Sequence, residues 1–454
     1  MSDLLTDALE LHKQEMFSDA EKLYNKILEQ EPENIQVLEL LIEIKLKIKD
    51  FNSVLKLCQK ILKFDKDNKE ALFNSAISLK NLGHFDDAIN YYKKVIELYP
   101  DLVEAYYNIA TLYADNGDMT DSIYYYNKVL ECNPDDKETK YFIGIAYMKN
   151  RQYKEGLKFF ENRLCRLSAL VTQEHTYPNL MKEAKLWNGE YVPDKIIYTY
   201  YEAGFGDVLM FARYLPLLEK KCKQVILKTQ VPLEELFKEN FPNIHVMHYF
   251  EPENKIHFDY HVPILSLPYA LGLDEDNMFV AKGGYLKANP DKVKSYHDRF
   301  FDNDSIKIGI KWQGNTMYDW DRVIDVKEFI KLFQVPNTKF YSFQTFEGSE
   351  GVDELKKYYD IVDIGSTLNN FSDTAGAIEN LDLVICNDTS LAHVAGAMNK
   401  PCWVLLPYLY NWRWHQDLTK CDWYDSVKLF RQDNPGNWDS VFESLYNELS
   451  GLVK

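Results

Sequence analysis

No apolar run in this 454-residue chain is long enough to cross a bilayer, and residues 1–10 lack the basic start and apolar stretch of a secretory leader. The expectation is a cytoplasmic protein with no membrane span. Positive charge is in deficit, with 52 Lys and Arg against 70 Asp and Glu and a net charge of −18. Such a field favours solubility and repels phosphate backbones, so no nucleic-acid partner is expected. Cysteine is sparse: the seven residues Cys58, Cys132, Cys165, Cys222, Cys386, Cys402 and Cys421 are scattered, odd in number and never spaced C-x-x-C. That excludes a zinc ribbon and a disulfide frame and predicts reduced thiols. The length exceeds what one hydrophobic core supports, so two or three domains are expected.

What is present begins with a repeat. Pro32, Pro100 and Pro134 are separated by multiples of 34 residues, and each follows an apolar stretch that a proline would end. In the same register Ala8, Ala76, Ala110 and Gly144 recur in a first helix, Ala20 and Ala88 in a second, and Tyr24, Tyr92, Tyr126 and Phe160 at one further position. Gly83 and Gly117 mark the turn between the helices. This is the length of a tetratricopeptide helix-turn-helix unit, and about five units fit within residues 1–166. Stacked units leave a groove lined by first helices, which is a binding surface and not a catalyst. Asn74 and Asn108, one period apart, are either amides that hold an extended peptide there or two solvated polar residues.

After Ser168 the pattern changes to short β-rich runs alternating with amphipathic segments. Residues 167–190 read as a connector, 191–290 as a first Rossmann-like domain, 305–435 as a second, and 436–454 as a C-terminal helix. The fold class is therefore α plus α/β: an all-helical solenoid followed by two doubly wound parallel domains. Ligands in such sheets bind at the carboxyl ends of the strands, so the loops that follow them carry the chemistry.

Three of these loops stand out. The first, Tyr200 to Asp207, has Gly204 and Gly206 for a tight turn, and its Asp207 is either a crevice carboxylate or a first-turn acid on the helix dipole. It lacks the third glycine of a dinucleotide fingerprint. In the second, Trp312-Gln313-Gly314-Asn315 precedes Asp321-Arg322; Arg322, ahead of Lys311, is suited to a diphosphate, and surface solvation is the alternative for both. The third, Asp388-Thr389-Ser390-Leu391-Ala392-His393, follows a buried strand and opens a helix, offering unmade backbone N–H groups to an anion; a plain helix cap is the alternative. His393 lies one turn on, on the side of Thr389. Trp312, Gln344 and Trp414 are candidates to border a nucleotide, with ordinary packing favoured for Trp414.

At these loops the sequence resembles the heptosyltransferase-like family of glycosyltransferases (glycosyltransferase family 9-type), in its branch with tetratricopeptide repeats. The resemblance is carried by Glu202, Gly204, Gly206 and Asp207 with Arg213-Tyr214-Leu215-Pro216, by Trp312-Gln313-Gly314-Asn315, by Asp388 to His393, and by Trp403 to Pro407 with Trp412-Arg413-Trp414. It spans about residues 190–450. It implies a GT-B pair of domains, acceptor side first and donor side second, with the last helix crossing back. It implies inverting transfer without a metal or other cofactor, from a nucleotide-diphosphate sugar as co-substrate. Asp207 matches the family's proposed general base. Asp388, Thr389, Ser390 and His393 match its diphosphate turn, and Trp312, Asn315, Arg322 and Gln344 join them as donor-binding candidates. Repeats placed before such a domain also look like protein O-GlcNAc transferase, which implies a protein or peptide acceptor or partner at the repeat groove. Two other classes stay open: a binding scaffold with a degenerate transferase-like domain, favoured by the short 315–322 loop, and a nucleotide-sugar epimerase or hydrolase.

Overall fold

A computed structural model describes residues 2–164, 184–248, 256–314, 322–415 and 421–453. By compactness the chain divides into Met1–Ala146 and Tyr147–Lys454. Asn315, Asp321, Cys165 and most of the 167–190 connector lie outside the described residues.

The first unit is helical throughout. Its helices are α1 (Ser2–Lys13), α2 (Phe17–Gln30), α3 (Ile35–Lys47), α4 (Phe51–Phe64), α5 (Lys69–Asn81), α6 (Phe85–Leu98), α7 (Val103–Asp115) and α8 (Met119–Cys132), with α9 (Lys137–Lys149) running past its end. Each end is set locally. The side chains of Asn34, Asp50, Asn68 and Asp118 accept from backbone N–H groups in the first turns of α3, α4, α5 and α8. The helix-to-helix turns place Glu15, Lys49, Gly83, Gly117 and Arg151 at positive φ, one every period. Only Gly83 and Gly117 announce that conformation in the sequence; the other three adopt it with a Cβ. Ala8, Ala20, Ala76, Ala88 and Ala110 are fully buried, so paired helices approach closely there, and Tyr24, Tyr92 and Tyr126 are buried with their rings against His12, Phe73 and Tyr107 of the helix they pair with.

The second unit opens with α10 (Tyr153–Phe160) and holds two parallel sheets. The first contains β1 (Lys185–Leu186), β2 (Val192–Tyr200), β3 (Cys222–Thr229), β4 (His245–His248) and β5 (Tyr260–Pro263) in the order β1-β5-β2-β3-β4. The second contains β6 (Ile306–Lys311), β7 (Thr338–Ser342), β8 (Ile361–Asp363), β9 (Leu383–Asn387), β10 (Cys402–Leu406) and β11 (Val427–Arg431) in the order β11-β10-β9-β6-β7-β8. From β6 the chain winds one way through β7 and β8, then returns beside β6 with β9 and continues the other way. The loops after β6 and β9 therefore diverge and open a crevice at the topological switch point. Strands β9 and β10 are buried at every residue, as parallel strands covered on both faces must be.

Five helices matter for the site: α11 (Phe205–Phe211) after β2, α12 (Val231–Asn240), α13 (Pro290–Tyr296), α14 (Phe371–Glu379) and α15 (Ser390–Ala397) after β9. Residues 287–304 include α13 and a π-helical turn over His297–Phe301; α13 packs on α14, where Lys292 pairs with Asp373. The last helix, α16 (Asp439–Leu452), corrects one expectation. Its apolar face (Val441, Phe442, Leu445, Leu449) is buried in the core of the second sheet with Ile308, Phe329 and Ile385, so it packs at home instead of crossing back. Among the described residues no helix is long and apolar enough to cross a membrane. The described cysteines are free thiols, with Cys58, Cys386, Cys402 and Cys421 buried.

Candidate functional site

The two α/β domains meet through helix starts. Gly204 caps α11, Asp207 occupies its first turn, and the loop before it is pinned by Gln230, whose Nε2 donates to the Ala203 carbonyl at 2.9 Å. Gly206 lies against the opening turn of α15. A Cβ on it would stand 2.8 Å from His393 Cδ2 and 3.7 Å from Ser390 Cα, so no larger residue fits without displacing the histidine. The first turn of α11 that carries Asp207 and the α15 start, read from two distant stretches of sequence, thus pack side by side.

Thr389 is the N-cap of α15 but makes no side-chain cap, its hydroxyl donating instead to the Asn387 carbonyl at 3.3 Å. The Ala392 N–H bonds back to the Thr389 carbonyl at 3.0 Å, while the Ser390 and Leu391 N–H groups ahead of it receive no side-chain cap from Thr389 and have the positive end of the helix dipole behind them. Ser390 is half-buried beside Thr389. The switch point is narrow: a Cβ on Gly314, after β6, would stand 3.2 Å from Thr389 Cγ2.

His393 is buried, stacked on Trp414 with ring centroids 5.4 Å apart, and its Nδ1 is 2.9 Å from the Tyr424 hydroxyl. Burial pushes its pKa down to about 4; Asp388 pulls the other way, and Arg213 and Arg322 push with burial. The ring is therefore neutral near pH 7 and offers a hydrogen bond without a charge. Cationic groups at the crevice are arginines. Arg322 Nη1 lies 3.4 Å from a carboxylate oxygen of Asp388, and Arg413 pairs with Asp207, both partners largely enclosed. Asp388 is thus turned to Arg322 and positions it.

Two of the sequence candidates sit elsewhere. Trp312 is 2% exposed within the core of the second sheet, near Phe329, because it shares with Ile308 and Ile310 the face that α16 covers. Gln344 is buried and spends its amide on backbone: Oε1 accepts from the N–H of Trp312 and of Gln313, and Nε2 donates to the carbonyls of Gln313 and Glu347. It ties the β6 and β7 loops together and has nothing left for a nucleotide. Lys311 is buried on the same loops, donating to the Phe343 carbonyl and the Thr345 hydroxyl, and burial lowers its pKa to about 8. Glu202, part of the first motif, faces away from the crevice and receives Arg163 through two hydrogen bonds of 3.0 and 2.7 Å. Asn74 and Asn108 are half-buried on α5 and α7 of the first unit.

Tyr424 went unread in the sequence, and Arg413 and Arg213 entered there only within the resemblance, with no role of their own. Arg413 sits between Trp412 and Trp414 in a turn held by Trp423 Nε1, which donates to the Arg413 carbonyl at 3.0 Å. One turn thereby touches Asp207 through Arg413 and His393 through Trp414. Arg213 is buried against the rings of Tyr285, Trp423 and Tyr424, and donates to the Trp423 carbonyl at 2.8 Å, bridging from the α11 side to the second domain. The alternation of cations with aromatics in Trp412-Arg413-Trp414 was the available signal. Among the described residues no group of three His, Cys, Asp or Glu side chains converges as metal ligands would.

Residues 73–137 match the family model described as Tetratricopeptide repeat, and residues 339–405 match Glycosyltransferase family 9 (heptosyltransferase). The second match covers β7 to β10 and therefore the Thr389 turn and His393. No curated protein matches the chain. Among solved structures the chain is similar to the MamA protein (22% identity, 37% of this chain and 94% of that one, TM-score 0.34). It is also similar to YrrB, described as a TPR protein with an unusual peptide-binding site (17% identity, 36% and 84% covered, TM-score 0.33). A third is a tetratricopeptide repeat protein from Parabacteroides merdae (20% identity, 37% and 66% covered, TM-score 0.35). Likeness at this level says nothing of what the chain binds.

Proposed function

We propose that the chain is a glycosyltransferase of GT-B type that moves a sugar from a nucleotide-diphosphate sugar to an acceptor hydroxyl, with inversion and without a metal. The observation that carries this reading is the contact of Gly206 with His393. It sets the helix turn that carries Asp207 beside the start of α15, and a displacement between two substrates would need a carboxylate and an anion-receptive helix start that close together. The domain match over residues 339–405 supports the glycosyltransferase class.

In this mechanism Asp207 accepts the proton of the acceptor hydroxyl as that oxygen attacks the anomeric carbon, a general-base contribution of about 10²- to 10⁴-fold. The nucleoside diphosphate leaves from the opposite face. Its charge is received by the uncapped N–H groups of α15, the hydroxyls of Thr389 and Ser390, Arg322, and a hydrogen bond from His393. Arg413 orients Asp207 between turnovers. The repeat array recruits a protein or peptide, as acceptor or partner; Asn74 and Asn108 are the amides offered to it.

The test is product analysis with a panel of nucleotide sugars, paired with calorimetric titration of the corresponding nucleoside diphosphates. Asp207→Asn is expected to bind nucleoside diphosphate as wild type does while transfer falls at least 100-fold, and His393→Ala to lose diphosphate affinity. Undiminished transfer by Asp207→Asn removes it from the base role. Donor consumption with no acceptor in any mixture favours a hydrolase.

A further inference from the structure

Phe346 is 92% exposed, the most exposed of the large apolar side chains among the described residues, and its backbone is in the left-handed region at φ 54°. Both features oppose folding. A phenyl ring in water forfeits its burial, and a residue with a Cβ is strained at that φ. Such strain persists only where the surroundings impose it, and here they do. The loop after β7 is braced from beneath by Gln344 and Lys311 and closed by the Ser349 N–H donating to the Phe346 carbonyl at 3.1 Å. Gly348 follows at φ 83°, where a Cβ would meet Gln313 Oε1 at 2.8 Å, so the loop lies hard against the β6 loop. The tip is held out; it is not loose.

The strand order says what lies beside it. Along the carboxyl edge the sequence is β10, β9, β6, β7. The Arg413 turn follows β10 and pairs with Asp207, the α15 start follows β9, Gln313 and Gly314 follow β6, and Phe346 follows β7. Neighbouring strands are about 4.8 Å apart, so the Phe346 loop lies about two such steps from the helix start. That interval, across Gly314 and Gln313, suits a ribose and its phosphate. With the sugar end fixed at Asp207, the base end falls at β7.

We propose that Phe346 is the stacking platform for the nucleobase of the donor. The inference rests on the donor-site reading above and deepens it. The ring supplies a π-face that any base can use, and base identity is left to the polar groups around it.

The experiment is calorimetric titration of the full chain with UDP, ADP, GDP, CDP and inorganic pyrophosphate, for wild type, Phe346→Ala and Phe346→Trp. Phe346→Ala is expected to weaken the best nucleoside diphosphate by roughly 5- to 150-fold while leaving pyrophosphate affinity unchanged, and Phe346→Trp to retain or improve nucleotide binding. The substitution is at an exposed tip, and circular dichroism checks that the fold is intact. If Phe346→Ala binds the nucleoside diphosphate as wild type does, or loses pyrophosphate equally, the stacking role is overturned and the donor site stands. If wild type binds neither pyrophosphate nor any nucleoside diphosphate, the donor-site reading falls and this inference with it.

Discussion

His393→Gln tests the electrostatics of the crevice without a substrate. His393 has a pKa near 4 in the folded chain against an ordinary 6.5, chiefly because burial disfavours the imidazolium. The unfolded chain therefore takes up the proton at higher pH than the folded one. Stability from this group is complete above pH 6.5 and is lost as pH falls towards 4. The loss amounts to about 3 kcal/mol over the whole interval, with about 2 kcal/mol of it gone by pH 5. The amide of the variant does not titrate, so the stability difference between the two proteins should narrow or reverse by that amount between pH 7.5 and pH 5, measured by urea unfolding. The direct readout is the ¹³C resonance of histidine-labelled protein, assigned by its absence in the variant. A His393 signal that titrates near pH 6.5, together with parallel pH profiles for the two proteins, would refute the neutral imidazole and return a second positive charge to the diphosphate site.

Other consequences follow from single contacts. Gly206→Ala places a Cβ 2.8 Å from His393 Cδ2; overpacking of about 1–3 kcal/mol and a tenfold or greater loss of nucleoside diphosphate affinity are expected by thermal shift and calorimetry. Arg163→Met leaves Glu202 buried without its bidentate partner, so a destabilisation of about 3–5 kcal/mol is expected in chemical unfolding, and Glu202→Gln with Arg163→Met together should recover part of it. Lys49→Gly relieves a left-handed backbone at φ 58° and is expected to raise stability by about 1 kcal/mol, seen as a higher melting temperature of the repeats.

Local chemistry made much of the fold legible. The 34-residue period and the continuous apolar runs Leu383–Cys386 and Trp403–Leu406 each report on neighbours in sequence, so a single chain is enough to read them. What escaped depended on partners far along the chain. Strand β1 is two residues long and exists because β5 pairs with it, and β11 follows β10 only through the register of Val427 to Arg431. Helix α13 opens with Asn289 as its cap and Pro290 in its first turn, a local start signal that went unread between the two domains.

The same distinction divides the site. That Thr389, Ser390 and His393 stand at the start of a helix was readable because a helix start after a buried strand is a local pattern, and that Asp207 stands in a first turn because it follows two closely spaced glycines. The side chains that decide what those groups do are remote. Arg413 pairs with Asp207, Trp414 covers His393, and Arg163 occupies Glu202 so fully that a motif carboxylate is removed from the chemistry. A buried carboxylate with two hydrogen bonds from a guanidinium has little capacity left for a substrate proton, whereas Asp207 keeps its second oxygen 3.7 Å from where a Gly204 side chain would begin, on the glycine side of the loop. The proposal of Asp207 over Glu202 as base therefore rests on how fully each carboxylate is occupied by its arginine.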